Sequence, residues 1–366
     1  MITKAALCGY LLEEALAWML RGAGYRLLVD VSQDPHELAI NGNGLCVKGR
    51  GAEHQVDVLG EFVFTPAFSL PIRLFLEAKF TKQKSDLVVV RNAHGVIHDI
   101  NENFVHAPGA RLRKRYRYVY ALFSVSGFTA AAQDFALAQQ ISLVDLSGAS
   151  FAWLRRSVES AAENLRVLAQ HDRVNKFPVI WMRRRLRAEL GTMPDLSNER
   201  KYQTVHPAGF AVAAGAVLDD LVGTLKERRH NELLLGFPAA PFVLPMATDN
   251  VERFLAYARE YPDHAIRLVR TRGGDGVEWE VSPIGQEWMW EFSASPNTYR
   301  LTFNLPERLG DWICENEEYG VGRIRAFEGK SLPGIIVYRV EGNELQIFQL
   351  RYRPEDVHQG HRQQKR

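Results

Sequence analysis

Cysteine is nearly absent. Cys8, Cys46 and Cys314 are odd in number, far apart and without a CxxC pair, which argues against a disulfide framework or a structural zinc site and makes a reducing cytoplasm the expected compartment. An excess of one charge is missing too: 45 Lys and Arg stand against 43 Asp and Glu, so any surface suited to a polyanion has to be local. Long apolar runs are also lacking. MITKAALCGYLLEEALAWML is interrupted by Glu13 and Glu14 and lacks a small-residue cleavage site, so it does not read as a signal peptide. GFAVAAGAVLDDLVGTL (209–225) carries Asp219 and Asp220 and is too short for a bilayer core about 30 Å thick. A soluble protein with no membrane partner is expected.

What the chain does have is apolar content: 46% over 366 residues, enough for a substantial core and for two domains. From Tyr10 to Leu20 apolar residues recur at helical spacing and stop at Gly22 and Gly24, which predicts an amphipathic helix. YRLLVDV (25–31) and LCVK are short strand candidates. QVDVLGEFVF (55–64) and IRLFLEAKF (72–80) are β-branched and aromatic runs joined by a Pro-containing turn. A helix at SDLVVVRNAH, a strand at YVYALFSVS (118–126), an Ala-rich helix at 128–140 and a strand at ISLVDL (141–146) complete an α/β domain over residues 1–150. Residues 151–194 read as a helical connector and 195–366 as a C-terminal α+β domain. Its strand, helix and hairpin pattern recurs in kind, which raises the expectation of a twofold duplication.

One short run does not fit simple packing. In FLEAKF, strand alternation puts Phe75, Glu77 and Lys79 on one face and Leu74, Leu76, Ala78 and Phe80 on the other. Pairing with the preceding strand brings Asp57 beside Glu77 and Lys79. Two carboxylates about 4 Å apart repel by ~4 kcal/mol at an effective dielectric near 20, and a divalent cation reverses that sign. Oxygen-only ligands suit Mg²⁺ or Mn²⁺, and a lysine beside such a metal suits metal-assisted phosphodiester hydrolysis. Taken alone, an ExK pair is ordinarily a solvated face worth ~0 to 1 kcal/mol.

The pieces GYLLEEALAWMLRGAGY, GRGAEHQVDVLG, LEAKF and YVYALFSVSGFTAAAQDFALAQQISLVDL together resemble the PD-(D/E)xK nuclease superfamily, within it the Mrr-type restriction endonucleases and the archaeal Holliday-junction resolvases. The resemblance spans roughly residues 5–150. It implies a restriction-endonuclease-like mixed central sheet flanked by helices, a magnesium- or manganese-dependent endonuclease acting on DNA in restriction, defence or DNA processing, and no organic cofactor. It also implies that Asp57 and Glu77 ligate the metal, that Lys79 acts on the water and the scissile phosphate, and that Glu13 supports the metal. One active site cuts one strand, so duplex cleavage calls for a homodimer. Val56 stands where the family's name has proline, and Glu77 where Mrr-type members often have glutamine.

His54 and Gln55 precede Asp57 and are candidates for the same pocket, Gln55 on the face of Asp57, although polar residues at a strand entrance are as ordinary. RLRKRYRY (111–118) interleaves Arg111, Arg113, Lys114, Arg115 and Arg117 with Tyr116 and Tyr118, a composition suited to phosphate contact and base stacking, or else to a solvated basic loop. In WMRRRLR (181–187), Arg183, Arg184 and Arg187 read as the outer face of a helix, with DNA contact as the alternative. His94 and His98, with His106 nearby, have zinc-ligand spacing but no HExxH, so surface histidines are expected. Trp279, Trp288, Trp290 and Trp312 are expected in a core. The alternatives left open are a catalytically silent nuclease-like module binding nucleic acid or protein, and an RNase on the same core.

Overall fold

The computed structural model describes residues 2–42, 44–65, 69–103, 114–193, 208–227, 233–238, 244–248, 250–273, 276–284, 299–304, 334–341, 344–351 and 357–359. Arg111, Arg113, His106, Cys314, Trp288, Trp290, Trp312 and the expected helix ERLGDWICEN lie outside them.

Helix α1 (Lys4–Gly22) starts where the Thr3 hydroxyl accepts a hydrogen bond from Ala6 N at 3.2 Å, satisfying one orphan amide of the first turn. Strand β1 (Tyr25–Leu28) follows, then a small antiparallel sheet of β2 (Leu38–Asn41), β3 (Gly44–Lys48) and β4 (Glu53–Gln55). The main sheet adds β5 (Val58–Phe62), β6 (Ile72–Lys79), β7 (Arg117–Ser124) and β8 (Ser142–Asp145), with α2 (Leu87–Asn101) and α3 (Ala130–Gln139) as crossovers. Its order is β1-β5-β6-β7-β8, antiparallel through β6 and parallel beyond, so it is the mixed sheet expected.

Alternation along β6 divides the core. Leu74 and Leu76 join Leu7, Leu11, Leu12 and Leu16 of α1 on one face, whereas Phe75 joins Tyr118, Tyr120, Val90 and Ala132 beneath α2 and α3 on the other. Helices α4 (Ala152–His171) and α5 (Val179–Leu190) pack on α1, α6 (Ala208–Glu227) packs on α4 and α5, and all three share the α1 core through Leu154, Leu165, Met182, Leu186, Phe210 and Leu218. The segment expected as a connector is therefore a wall of the first core. Its apolar stripes are narrow and flanked by arginine, which is why its composition reads as an exposed spacer.

The C-terminal half contains β9 (Leu233–Pro238), β10 (Leu244–Thr248), α7 (Val251–Glu260), β11 (Asp263–Gly273), β12 (Gly276–Pro283), β13 (Leu301–Asn304), β14 (Gly334–Glu341), β15 (Glu344–Arg351) and β16 (Val357–Gln359). The order β12-β13-β10-β9-β14-β15-β11 returns to β12, closing a seven-stranded barrel with β16 added along β11. The mix of strands with helix α7 is the α+β content expected, and its closure into a barrel is the addition. Closure rests on a parallel contact, Asp263 opposite Gln349, that no local pattern encodes. Trp279, Phe303, Phe348 and the Phe254 face of α7 fill its core, as expected for Trp279. The hairpins β11–β12 and β14–β15 recur in kind, and the helix expected between β13 and β14 lies outside the described residues.

At the β5–β6 turn end of the main sheet, Arg73 is 1% exposed. Its guanidinium donates to Glu61 (2.9 and 3.1 Å), Asp34 (2.7 Å) and the Tyr118 hydroxyl (3.0 Å), and lies 3.3 Å from the centroid of the Tyr116 ring. A buried cation so fully partnered is costly to remove, because the acids it neutralises stay behind. Arg73→Met should lower unfolding free energy by about 3–5 kcal/mol in urea denaturation, and the double variant Arg73→Met, Glu61→Leu should recover part of that loss.

Candidate functional site

The last strand pair of β5 and β6 is Val58 opposite Leu76, so the next position outward sets Asp57 against Glu77. Asp57 Oδ2 accepts a hydrogen bond from Ala78 N at 2.8 Å, which fixes the carboxylate across the end of β6. Glu77 and Lys79 share the β6 face of Phe75, as alternation requires. Lys79 Nζ is paired with Glu77 Oε1, and the Tyr120 hydroxyl of β7 donates to Glu77 Oε2. Burial, then the Glu77 carboxylate, push the Tyr120 phenol well above its usual range, so it stays a donor.

From the opposite side of the sheet, α1 delivers two buried acids. Glu14, 1% exposed, takes both nitrogens of a fork from Arg187 at 2.9 Å and Nε of Arg183 at 2.6 Å. Burial alone would raise its carboxyl pKa, but Arg187 and Arg183 overcome it and the net shift is downward. Glu13 Oε2 lies 2.8 Å from Arg183 Nη1, a close ion pair without the alignment of a hydrogen bond. Burial, with the Asp57 and Glu14 charges adding to it, pushes Glu13 up to about 8 despite Arg183. Asp57 is raised as well, first by burial and then by the Glu77 charge, against the lowering effect of the Ala78 amide and Lys79. The Glu77 charge thus acts on Asp57 and the Asp57 charge on Glu13, a chain of repulsion across three acids.

Glu13 and Asp57 line a cleft of about 130 Å³ with Gln55, Arg183, Arg184 and the apolar side chains Leu27, Leu45, Val58 and Ile180. The pairing of Arg183 with the α1 acids escaped the sequence reading, which took WMRRRLR as an outer face or a DNA contact. The available signal was two arginines at i and i+4, opposite an adjacent acid pair in an otherwise apolar helix. Among the described residues, no three of His, Cys, Asp and Glu are grouped so as to hold a metal ion.

Other expected site residues are placed elsewhere. His54 Nε2 pairs with Asp99 Oδ2 at 2.8 Å, away from the cleft. Gln55 lines the cleft, but from β4 of the small sheet: the strand expected over 55–64 breaks at Val56 and Asp57, where the chain crosses between sheets. Lys114, Arg115 and Arg117 enter β7 beside Ile72, seven residues along β6 from Lys79, or ~23 Å away. They do not line the acid cleft. Tyr118 is buried and Tyr116 covers Arg73, so these two rings serve the Arg73 network, not an open stacking platform. His94 and His98 sit on α2 with ring centroids 6.0 Å apart, and His98 is exposed, as expected of surface histidines.

No family model and no curated protein matches the chain. Among solved structures it is similar to AF1548, described as a protein of unknown function, at 16% identity and a TM-score of 0.27, covering 38% of this chain and 58% of that one. At that level the likeness carries no weight for fold or function, and the chain matches under two thirds of that protein's length.

The Glu14 shift gives a pH signature. Its folded pKa lies below the ordinary 4.5, so its stabilisation is present above the unfolded pKa and is lost as pH falls through the folded one. Glu14→Gln should cost about 3–5 kcal/mol in urea denaturation at pH 7. The gap to the parent protein should narrow steadily below pH 4.5.

Proposed function

We propose that this chain is a metal-dependent endodeoxyribonuclease whose site is Asp57, Glu77 and Lys79 at the end of β5 and β6. The observation that carries the reading is the register that sets Asp57 against Glu77, with Lys79 on the Glu77 face and the Asp57 carboxylate held by Ala78 N–H. Metal ligation by this pair, the role of Lys79 and the DNA substrate come from the family resemblance, and the geometry is compatible with them.

The donor set fits a hard divalent cation of the magnesium type. Mg²⁺ commonly binds through one or two carboxylates and keeps water and substrate oxygens as its other ligands, so an all-protein cage of three acids is not required. The raised Asp57 and Glu13 carboxyls are the expected state of clustered acids without a counter-cation. Asp57 and Glu77 would hold the ion. Once bound, it would polarise the phosphodiester and acidify a water. Lys79 places an ammonium beside Glu77, where it stabilises negative charge growing on the phosphoryl oxygens and orients the attacking water. Glu13, expected as a third ligand, is engaged by Arg183 and is itself raised by the Asp57 charge.

The second reading is a nuclease-like module that binds nucleic acid or a protein without cutting, and the pairing of Glu13 with Arg183 and of Glu77 with Lys79 favours it. One experiment separates the readings. Supercoiled plasmid, linear duplex, branched DNA and single-stranded RNA are incubated with the protein in Mg²⁺, Mn²⁺ or EDTA. DNA cleavage should require the metal, and Asp57→Asn or Lys79→Ala should lower it by about 10²-fold or more. Equal cleavage by parent and variants would sink the proposal, RNA-only cleavage would make the protein an RNase, and metal-independent binding without cleavage would favour the silent module. A duplex-cutting enzyme of this kind should act as a homodimer, read by light scattering on the active species.

A further inference from the structure

We infer that Tyr120 is a positioning residue of the acid site, holding Glu77 in the one orientation from which it can serve a cation together with Asp57. This inference rests on the metal-site reading above and deepens it.

Tyr120 stands on β7 directly beside Phe75 of β6, and the two rings are stacked with centroids 4.9 Å apart. The ring is 3% exposed and lies in the core beneath α2 and α3, so packing fixes the phenol before any ligand arrives. Its hydroxyl is the one polar group it carries, and it donates to Glu77 Oε2. Lys79 occupies Oε1 of the same carboxylate. Each carboxylate oxygen can accept two hydrogen bonds or ligands, so both retain capacity for a further partner. Glu77 would otherwise be a flexible side chain at a strand end, free to leave the Asp57 side. With Tyr120 below and Lys79 alongside, its plane is set from two directions.

Asp57 is treated in the same way, by a main-chain amide in place of a phenol. The two acids therefore arrive already oriented, and a cation need not order them. Groups that orient ligands in this manner typically change metal affinity by about 10- to 100-fold when removed. Tyr118, two residues earlier on the same face of β7, gives the contrast. Its hydroxyl serves Arg73 and Glu37 at the far end of the sheet and has no part in the acid site.

The test is Mn²⁺ binding to the full chain, followed by the paramagnetic relaxation of water protons, with thermal melting of each variant as the check on folding. Tyr120→Phe keeps the stacked ring and removes only the hydroxyl. It should weaken Mn²⁺ binding by about tenfold and shift half-maximal DNA cleavage to higher Mn²⁺ by the same factor, the lost activity returning at high metal. Tyr118→Phe should leave Mn²⁺ affinity unchanged. In a double-mutant cycle with Glu77→Gln, Tyr120→Phe should add no further loss, since its effect passes through that carboxylate. If Asp57→Asn abolishes binding while Tyr120→Phe leaves it intact, or if the Glu77 and Tyr120 losses simply add, Tyr120 has no positioning role and the metal site stands. If the parent protein binds no Mn²⁺, the metal reading falls and this inference with it.

Discussion

The salt bridge that Glu14 makes with Arg183 and Arg187 is the constraint on which the acid end of the molecule depends. Burying a carboxylate in an apolar helix face is tolerated only if it is fully partnered, and here the partners come from a different helix, α5. The bridge ties α5 to α1, so the wall of the cleft and the main sheet become one rigid unit. It also brings Arg183 within reach of Glu13, where it opposes the burial and the Asp57 charge that raise that carboxyl. A stability element thereby sets the electrostatics of the neighbouring site.

The sheet does the remaining positioning. Because β6 alternates, one strand serves two cores and a charged end: Leu74 and Leu76 toward α1, Phe75 toward α2 and α3, and Glu77 and Lys79 where the strand runs out of cover. Arg73 and Glu77 lie on the same face, four residues apart, and show two solutions to burying charge. At one end the cation is surrounded by acids and an aromatic ring; at the other, acids are clustered with too little positive charge. The first is neutralised within the fold, and the second leaves two carboxyls raised.

Much of the first half was legible in the sequence because its signals are local. The alternation in FLEAKF, the helix stop at Gly22 and Gly24, and the pairing that sets Asp57 against Glu77 all follow from period and turn chemistry within a few tens of residues. The failures have a common physical origin. Arg183 reaches Glu13 across 170 residues, Tyr116 is drawn onto Arg73 by tertiary packing, and the crossing at Val56 depends on where a second sheet happens to lie. Barrel closure is the extreme case, since its strands alternate normally but nothing in their pattern says which distant edge each will meet.

That closing contact has a consequence for the order in which the chain can fold. Asp263 pairs with Gln349, so the ring cannot close before Gln349 has been synthesised. The main sheet, in contrast, has all five of its strands by Asp145 and its covering helices by Glu227. Every residue of the acid cluster, from Glu13 to Arg183, therefore precedes the ring in the chain, and β11 has no parallel partner until β15 is made. The contacts of Phe62 with Tyr338 and of Ser150 with Glu278 and Thr302 then join the late ring to a surface that was finished first.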